Sequence, residues 1–404
     1  MYGRLARRAF LAGAAGAVVA AVLPSAARTA PNIPVGGEGG LKDIAAQRGL
    51  LYGTFVKAAH FASSPAEVQA LGLPSGRFFF PNNAVYAETI ARECNIVVDD
   101  GGDIVWGLVA PSPEKTSFKT ADFAYGWARA RGIKYRAHSL VSHENVPPWF
   151  MALPDRAAAV KALQDHIRQM CSHFAGNVES WTVVNEGIRP EDGRSDGLRR
   201  QYFVEKIGPE YLDIAFHAAR DADPHALLVY NDHQLEYDLP AQDRGRQCLL
   251  DLIDGFKKRN TPIDAIGIES HLQIANNARL NDRVLSDFIR AIADRGLKIM
   301  ITELDIVDKG APSDISARDA EVAALYKHYL DVVLSNRSTI AVINWGLSDG
   351  DTWIGCEAGD VCYINPATRR DDGLLPRPLP FDVNYQRKPA YYAIAQALKA
   401  APQR

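Results

Sequence analysis

The chain has 404 residues, of which 23% are charged, and its formal net charge is −3. No basic run or face dominates the sequence, which argues against a nucleic-acid partner. This length fits one large barrel or two smaller domains. No cluster of cysteine and histidine has the spacing of a zinc site, so we expect neither a metal nor another cofactor.

Residues 1–27 have the pattern of an export signal. The adjacent Arg7 and Arg8 precede an apolar stretch from Leu11 to Leu23, and small residues suited to a signal peptidase follow it up to Ala27. This pattern is typical of a twin-arginine signal peptide, which predicts a folded protein exported to the bacterial periplasm or medium. The apolar stretch falls short of the roughly 20 residues that span a bilayer. We therefore expect no stable membrane association after cleavage.

Residues 28–48 are rich in proline and glycine, which predicts a flexible leader before one folded domain at 49–404. Five cysteines are few for an exported protein of this size, so we do not expect disulfides to hold the fold together. Cys356 and Cys362 bracket a short polar loop and could pair after export. The others stand in apolar surroundings and are predicted to be buried thiols, namely Cys94, Cys171 and Cys248.

From Leu50 onward, short β-branched runs alternate with longer amphipathic segments. The predicted strands are Leu51–Phe55, Asn95–Val98, Lys134–His138, Trp181–Val184, Leu227–Asn231, Ala265–Ser270, Lys298–Thr302 and Ile340–Trp345. The predicted helices include Arg156–Phe174, Val204–Asp221, Gln242–Lys258, Asp282–Arg295, Ala317–Leu334 and Gln386–Ala400. Near-continuous apolar strands, each followed by a helix, predict an α/β fold with a single (β/α)₈ TIM barrel. A doubly wound open sheet is the alternative, but it would need a glycine-rich phosphate turn after its first strand, and Tyr52-Gly53-Thr54-Phe55 offers none.

Polar or aromatic side chains recur where six of these strands end. They are His138 and His143, Asn185 and Glu186, Asn231 and Asp232, Glu269 and His271, Glu303 and Asp305, and Trp345. In a (β/α)₈ barrel the C-terminal strand ends carry the active site. Burying a charged carboxylate there is costly unless it has a role. Two carboxylates that face one pocket, Glu186 and Glu303, are the usual equipment of a glycoside hydrolase.

Several short motifs resemble those of family 10 glycoside hydrolases, which are mostly endo-β-1,4-xylanases. The motifs are His138-Ser139-Leu140-Val141 with His143, Trp181 with Val183-Val184-Asn185-Glu186, Glu269-Ser270-His271-Leu272, Thr302-Glu303-Leu304-Asp305, Trp345-Gly346 and Pro389-Ala390-Tyr391. The Asn-Glu pair alone would mark only the wider clan of retaining barrel glycosidases. The Thr-Glu-Leu-Asp run and the His-x-Leu-x-x-His run make the resemblance specific, and it extends from about Tyr52 to the C-terminus.

The resemblance implies a role for each matching residue. Glu303 would be the nucleophile and Glu186 the acid/base of a double displacement, with their carboxyls about 5–5.5 Å apart. Asn185 would hydrogen-bond the sugar 2-hydroxyl, while His271 would contact the nucleophile with its ring fixed by Asp305. The remaining residues that would bind substrate are His138, Asn145, Trp345 and Trp353.

The chain also departs from the family pattern, as a divergent member would. The usual Asn-Glu-x-Lys-Trp run corresponds to 99–106, with an apolar residue at the lysine position; other replacements are Ser142 for Trp, Asn145 for Gln, Thr182 for Asp and His233 for an aromatic residue. The catalytic pair is kept, whereas the pocket for the glycone sugars is rebuilt. We expect a secreted, monomeric, retaining endo-β-1,4-glycanase with a polysaccharide substrate, in the first place an endo-1,4-β-xylanase. The alternatives are the same mechanism on a glucan or a bacterial exopolysaccharide, and a carbohydrate-binding barrel without catalysis.

Overall fold

The structure is a computed structural model that describes residues 39–72, 83–99, 104–144, 146–354 and 368–404. The predicted signal peptide, Asn145, Cys356 and Cys362 lie outside the described residues. In the part that is described, no helix has both the length and the apolar character needed to cross a membrane. Two of the predicted thiols, Cys94 and Cys171, are free and buried, and Cys248 is free and half-buried.

The strands form one closed, parallel barrel. They are β1 (Leu51–Val56), β2 (Ile96–Asp99), β3 (Lys134–Ser142), β4 (Ser180–Asn185), β5 (Leu227–Asp232), β6 (Ala265–Ile268), β7 (His271–Gln273), β8 (Lys298–Val307) and β9 (Thr339–Asn344). Strands β1 to β6 pair in chain order, β6 pairs with β8, β8 with β9, and β9 with β1, all in parallel. The short β7 pairs with the far end of β8. The predicted (β/α)₈ TIM barrel is confirmed.

Helices cover the outside of the barrel. They are α1 (Leu41–Ala46), α2 (Pro65–Ala70), α3 (Asn83–Glu93), α4 (Trp106–Val109), α5 (Lys119–Arg129), α6 (Pro148–Met151), α7 (Arg156–Phe174), α8 (Tyr202–Lys206), α9 (Tyr211–Ala222), α10 (Pro240–Arg259), α11 (Asp282–Asp294), α12 (Ile315–Leu334) and α13 (Pro389–Ala400). Side-chain caps fix the starts of two of the long helices. Asp155 accepts a hydrogen bond from the Ala158 amide (2.9 Å) at α7, and Asp314 accepts one from the Ala317 amide (2.9 Å) at α12. Each cap satisfies one of the backbone donors that a helix leaves unpaired at its N-terminus.

The single helix predicted for Val204–Asp221 is two helices, α8 and α9. Gly208 between them has φ = +103°, which only glycine adopts at little cost, and Pro209 follows. A helix cannot continue through this pair, because proline also lacks the amide that would bond to the preceding turn.

The leader predicted for residues 28–48 is wrong from Gly39 onward. Residues Leu41–Ala46 form helix α1, in which Leu41 and Ala45 are fully buried. The Leu41 amide also donates a hydrogen bond to Glu93 Oε2 (2.9 Å) at the end of α3. Apolar residues four apart lie on one face of a helix, and this face packs on the barrel. A helix of six residues is too short to show a clear period in the sequence.

Two strands are longer than predicted, and this fixes the positions of the polar residues at the barrel mouth. Strand β3 runs to Ser142 and β8 runs to Val307, so that Glu303 lies within β8. The Glu303 amide bonds to the carbonyl of Glu269 (3.0 Å). The predicted strand Ala265–Ser270 ends at Ile268 instead, and Ser270 has φ = +68°. This left-handed residue breaks the strand before β7.

The interior of the barrel changes from apolar to polar along its axis. Its apolar layer consists of Phe55, Ile96, Val98, Val229, Ala265, Met300, Ala341 and Ile343. Nearer the C-terminal strand ends lie buried polar side chains, with Asn231 at the centre. Gly267 leaves room for it, since a Cβ at that position would stand 2.1 Å from Asn231 Oδ1.

Candidate active site

The carboxylate of Glu303 lies at the centre of the barrel mouth and is only 6% exposed. Asn231 Nδ2 donates a hydrogen bond to its Oε1 (3.0 Å), and His271 Nε2 lies 3.4 Å from its Oε2. Burial alone would raise the pKa of Glu303. The hydrogen bond from His271 and the positive charges of His271 and Arg136 outweigh burial, so that the pKa is lowered from its usual value. Glu303 is therefore ionised at neutral pH, as a nucleophile has to be.

Asn231 connects the polar residues of four strands. Its Nδ2 lies within hydrogen-bond distance of Glu303, of Asn185 Oδ1 (2.8 Å) and of Glu269 Oε1 (3.1 Å). Its Oδ1 accepts from Thr302 Oγ1 (2.7 Å). This fixed amide holds Asn185 and Glu303 at a set spacing, so the two side chains predicted to touch the sugar share one anchor.

His271 is held between two carboxylates. Its Nδ1 lies 3.0 Å from Asp305 Oδ1, on the side away from Glu303. Trp353 Nε1 donates to the other oxygen of Asp305 (2.6 Å), and the Trp353 ring lies 5.1 Å from the His271 ring. Burial lowers the pKa of His271, but the charge and hydrogen bond of Asp305 and those of Glu303 together raise it well above its usual value. The ring is therefore an imidazolium that stabilises the charge on Glu303.

A buried arginine lies beneath this group. Arg136 is fully buried on β3, with Nη2 3.4 Å from Asn231 Oδ1 and Nη1 3.4 Å from His138 Nδ1. Burial lowers the pKa of Arg136 to about 10, so the guanidinium is still charged at neutral pH. Burial also lowers the pKa of His138 to about 4, which makes that ring neutral. Arg136 and His271 together place two positive charges beside Glu303.

His138 has the surroundings of a side chain that is fixed for binding. Its amide donates to Asp99 Oδ2 (3.1 Å), and its Nδ1 lies 3.2 Å from Thr182 Oγ1. The ring of Trp345 lies 5.9 Å from the His138 ring, at a steep angle. Thr182 replaces the acidic residue of the family pattern and takes part in holding this histidine.

Glu269 supplies a third carboxyl group to the pocket. It is 2% exposed, and burial together with the charges of Glu303 and Glu186 raises its pKa well above the usual value. Both other glutamates therefore lie near enough to Glu269 to disfavour a negative charge on it. Glu269, His271 and Glu303 each have one donor atom within 4.8 Å of the others, a spacing that a divalent cation could use. All three already have protein partners, and our expectation that no metal is needed stays a prediction.

Glu186 follows β4 directly and has a left-handed backbone, with φ = +50°. Such a conformation is strained for a residue other than glycine and is often found at functional sites. Arg199 Nη2 lies 2.8 Å from Glu186 Oε2, and His233 Nε2 and His143 Nδ1 lie 3.7 and 4.0 Å from the same oxygen. The sequence places His143 among the polar residues that follow a strand and gives His233 only as a replacement for an aromatic residue, and Arg199 was not predicted from the sequence.

A cavity of about 100 Å³ opens beside Glu186. Its lining includes Ile188, Arg189, Asp232, His233 and Leu235. Burial raises the pKa of Asp232 to about 7, although hydrogen bonds from Tyr230 and from the amides of His233 and Ile188 oppose this. Asp232 therefore shapes this wall mainly through its hydrogen bonds to the loop that carries Glu186.

Comparison with known proteins identifies the family to which this barrel belongs. The family model "Glycosyl hydrolase family 10" matches residues 41–397. The chain belongs to glycosyl hydrolase family 10. This family 10 protein is 28% identical over 334 residues to endo-1,4-beta-xylanase B of Thermotoga neapolitana, covering 81% of this chain and 88% of that protein. It is 30% identical over 302 residues to the beta-1,4-xylanase of Dictyoglomus thermophilum, covering 72% and 78%.

The family 10 fold is also found among solved structures. Native xylanase 10B from Thermotoga maritima is similar with a TM-score of 0.74 and 26% identity, covering 89% of this chain and 98% of that one. These relatives confirm the family predicted from the sequence. The protein is accordingly a glycoside hydrolase that resembles endo-xylanases.

Proposed function

We propose that this family 10 protein is a retaining endo-1,4-β-xylanase in which Glu303 is the nucleophile and Glu186 the acid/base. The observation that carries the proposal is the ionised, buried Glu303 between His271 and Asn231, in the same pocket as Glu186. The xylanase activity of the relatives supports the choice of substrate.

In the first step Glu303 would attack the anomeric carbon while the bond to the leaving oxygen breaks. Glu186 would give its proton to that oxygen, which leaves as a hydroxyl of the shortened chain. The carbon gains a bond to Glu303 Oε as it loses one to the leaving oxygen. Asn185 would bond the 2-hydroxyl, a contact that strengthens as positive charge develops on the sugar.

In the second step a water molecule would attack the same carbon. Glu186, now a carboxylate, would take a proton from this water, and Glu303 would leave as a carboxylate. The enzyme returns to its starting protonation state, and two inversions give net retention. His271 and Arg136 stabilise the charge that returns to Glu303.

A second class of substrate is supported by the residues that correspond to the glycone pocket of the family. The lysine position of the family pattern is the apolar Val105, which is buried, and it lines a small cavity together with Ser142 and Trp106. The Trp106 ring itself stacks on His166 with centroids 4.1 Å apart. Smaller or apolar residues at these positions leave fewer groups to exclude a hydroxymethyl substituent, so a β-1,4-glucan is the second candidate.

The proposed function is tested by incubating the protein with xylan and with β-1,4-glucan, and following products by chromatography and proton NMR. We expect xylan to give mixed short oligosaccharides, with the β-anomer of each new reducing end appearing first. An α-anomer formed first would contradict the double displacement. Cleavage of glucan alone would retain the mechanism and change the substrate, and no cleavage of any β-glycan would indicate a binding protein.

We also propose that the protein is exported through the twin-arginine route, on the strength of Arg7 and Arg8 before a short apolar stretch. Changing both arginines to lysine is expected to leave most of the enzyme in the cytoplasm of a bacterial host, as measured by cell fractionation. The matched control is Arg28→Lys, which lies just beyond the predicted cleavage site. Normal export of the double variant would favour a general secretory signal instead.

A further inference from the structure

Arg199 contacts the acid/base residue in two places. Its Nε donates to the main-chain carbonyl of Glu186 (2.7 Å), and its Nη2 donates to Glu186 Oε2 (2.8 Å). The guanidinium side chain is 5% exposed and its position is set by the Arg199 amide, which bonds to the carbonyl of Gly187 (2.8 Å). One buried side chain therefore clamps both the strained backbone and the carboxylate of Glu186.

The other groups around Glu186 cannot replace this charge. Burial lowers the pKa of His233 to about 4, and burial with the charge of Arg199 lowers the pKa of His143, so both rings are neutral at neutral pH. The titratable and charged groups around Glu186 and its immediate neighbours are Arg189, Arg199, His143, His233, Glu144, Asp232, Glu269 and Glu303. Arg199 is the cation in direct contact with the carboxylate among the described residues.

The two steps of the proposed reaction make opposite demands on Glu186. The first step needs its acid form and the second its carboxylate form. A guanidinium at hydrogen-bond distance favours the carboxylate. The negative charge of Glu303 favours the acid form, but this charge disappears while Glu303 is bonded to the sugar.

We propose that Arg199 is a positioning residue that holds Glu186 in its base form once the first step has removed the charge of Glu303. While Glu303 is ionised, its charge offsets Arg199 and Glu186 can hold a proton. Once Glu303 is esterified, Arg199 keeps Glu186 as the carboxylate that activates water. This inference rests on the proposed function.

The test compares the pH profiles of the wild type, Arg199→Met and Arg199→Lys on two aryl β-xylobiosides. Phenyl β-xylobioside needs a proton from Glu186 in the first step, whereas 2,4-dinitrophenyl β-xylobioside does not. In Arg199→Met we expect the alkaline limb of kcat/KM on the phenyl substrate to move up by about one pH unit or more, the lower end of what a neighbouring arginine does to a carboxyl. The acid limb of kcat on the dinitrophenyl substrate should move up as well. Arg199→Lys should restore part of both shifts.

A merely structural role would lower activity at every pH and leave both limbs in place, and that outcome overturns the inference. The matched control is Arg220→Met, which removes an arginine paired with Asp264 at the N-terminal end of the strands and should move neither limb. Thermal unfolding shows whether each variant is folded. If Arg199→Met does not fold, Arg199→Gln carries the test, because it also removes the charge, and unshifted limbs in that folded variant would equally contradict the inference.

Two further variants separate this inference from the proposed function. If Glu186→Ala and Glu303→Ala are both inactive but Arg199→Met leaves the limbs unshifted, only the role of Arg199 fails. If either glutamate variant keeps near-normal activity on xylan, the proposed function itself fails.

Discussion

Replacing Glu303 by alanine is expected to lower kcat/KM on xylan by about 10⁴-fold or more. A loss of this size is roughly 5.5 kcal/mol of barrier, which is what the removal of a covalent nucleophile costs. Glu303→Gln should have a similar effect, since it keeps the size of the side chain but removes the charge that attacks the sugar. The measurement is initial rate on xylan at several substrate concentrations.

The fold should survive this change. Glu303 lies within β8, and its backbone bonds to Glu269 do not depend on its side chain. The matched control is Glu93→Gln, another buried glutamate, which binds the α1 amide and Arg387 near the N-terminal end of β2. We expect that variant to lose stability in thermal unfolding but to keep its activity per folded molecule. Activity of Glu303→Ala within tenfold of the wild type would rule out the nucleophile assignment.

Replacing Glu186 by alanine should have an effect that depends on the leaving group. We expect a loss of about 10³-fold or more on xylan, whose leaving hydroxyl needs a proton, and a much smaller loss in kcat/KM on 2,4-dinitrophenyl β-xylobioside. The second step should still be slow for both substrates, because the base is missing as well. The measurement is kcat and kcat/KM on both substrates.

Adding azide to the Glu186→Ala variant tests the acid/base role of Glu186 independently. Azide is already an anion and needs no base, so it should restore turnover of the dinitrophenyl substrate and yield the β-glycosyl azide. The control is Glu179→Gln, a half-buried glutamate before β4 that pairs with Lys134. Equal losses on both substrates, without rescue by azide, would contradict the acid/base role.

The barrel itself could be predicted because its strands are short and almost uniformly apolar. Each predicted strand coincides with an observed one to within a few residues. The exact ends could not be predicted where polar residues continue a strand. In β8 the segment Glu303–Ile306 interrupts the apolar run with two carboxylates, so the sequence alone does not show that pairing with β9 and β7 continues past Thr302.

The residues of the candidate site could be predicted where they stand in a short motif. They could not be predicted where a distant loop supplies the residue. Glu186, Glu303, His271 and Asp305 stand in short motifs at strand ends. Arg199 lies 13 residues beyond Glu186 and reaches it only because the intervening loop folds back, with Ile188 bridged to Leu198. Nothing in the sequence of this loop indicates that it folds back towards Glu186. Asn231 can occupy its central position only because Gly267 on the neighbouring strand has no side chain. The need for a glycine there is seen only once the two strands lie side by side.

The positive side chains at the barrel mouth have a consequence for how charge travels during the proposed reaction. In the first step the site as a whole neither gains nor loses charge; one negative charge passes from Glu303 to Glu186. Before the step this charge lies near His271 and Arg136, and after it the charge lies beside Arg199. A positively charged side chain is therefore next to the negative charge in both states, and the second step moves the charge back between the same two positions. Neither Glu303 nor Glu186 is then a carboxylate without a cation beside it. Solvent therefore does not have to reorganise around the pocket in either step.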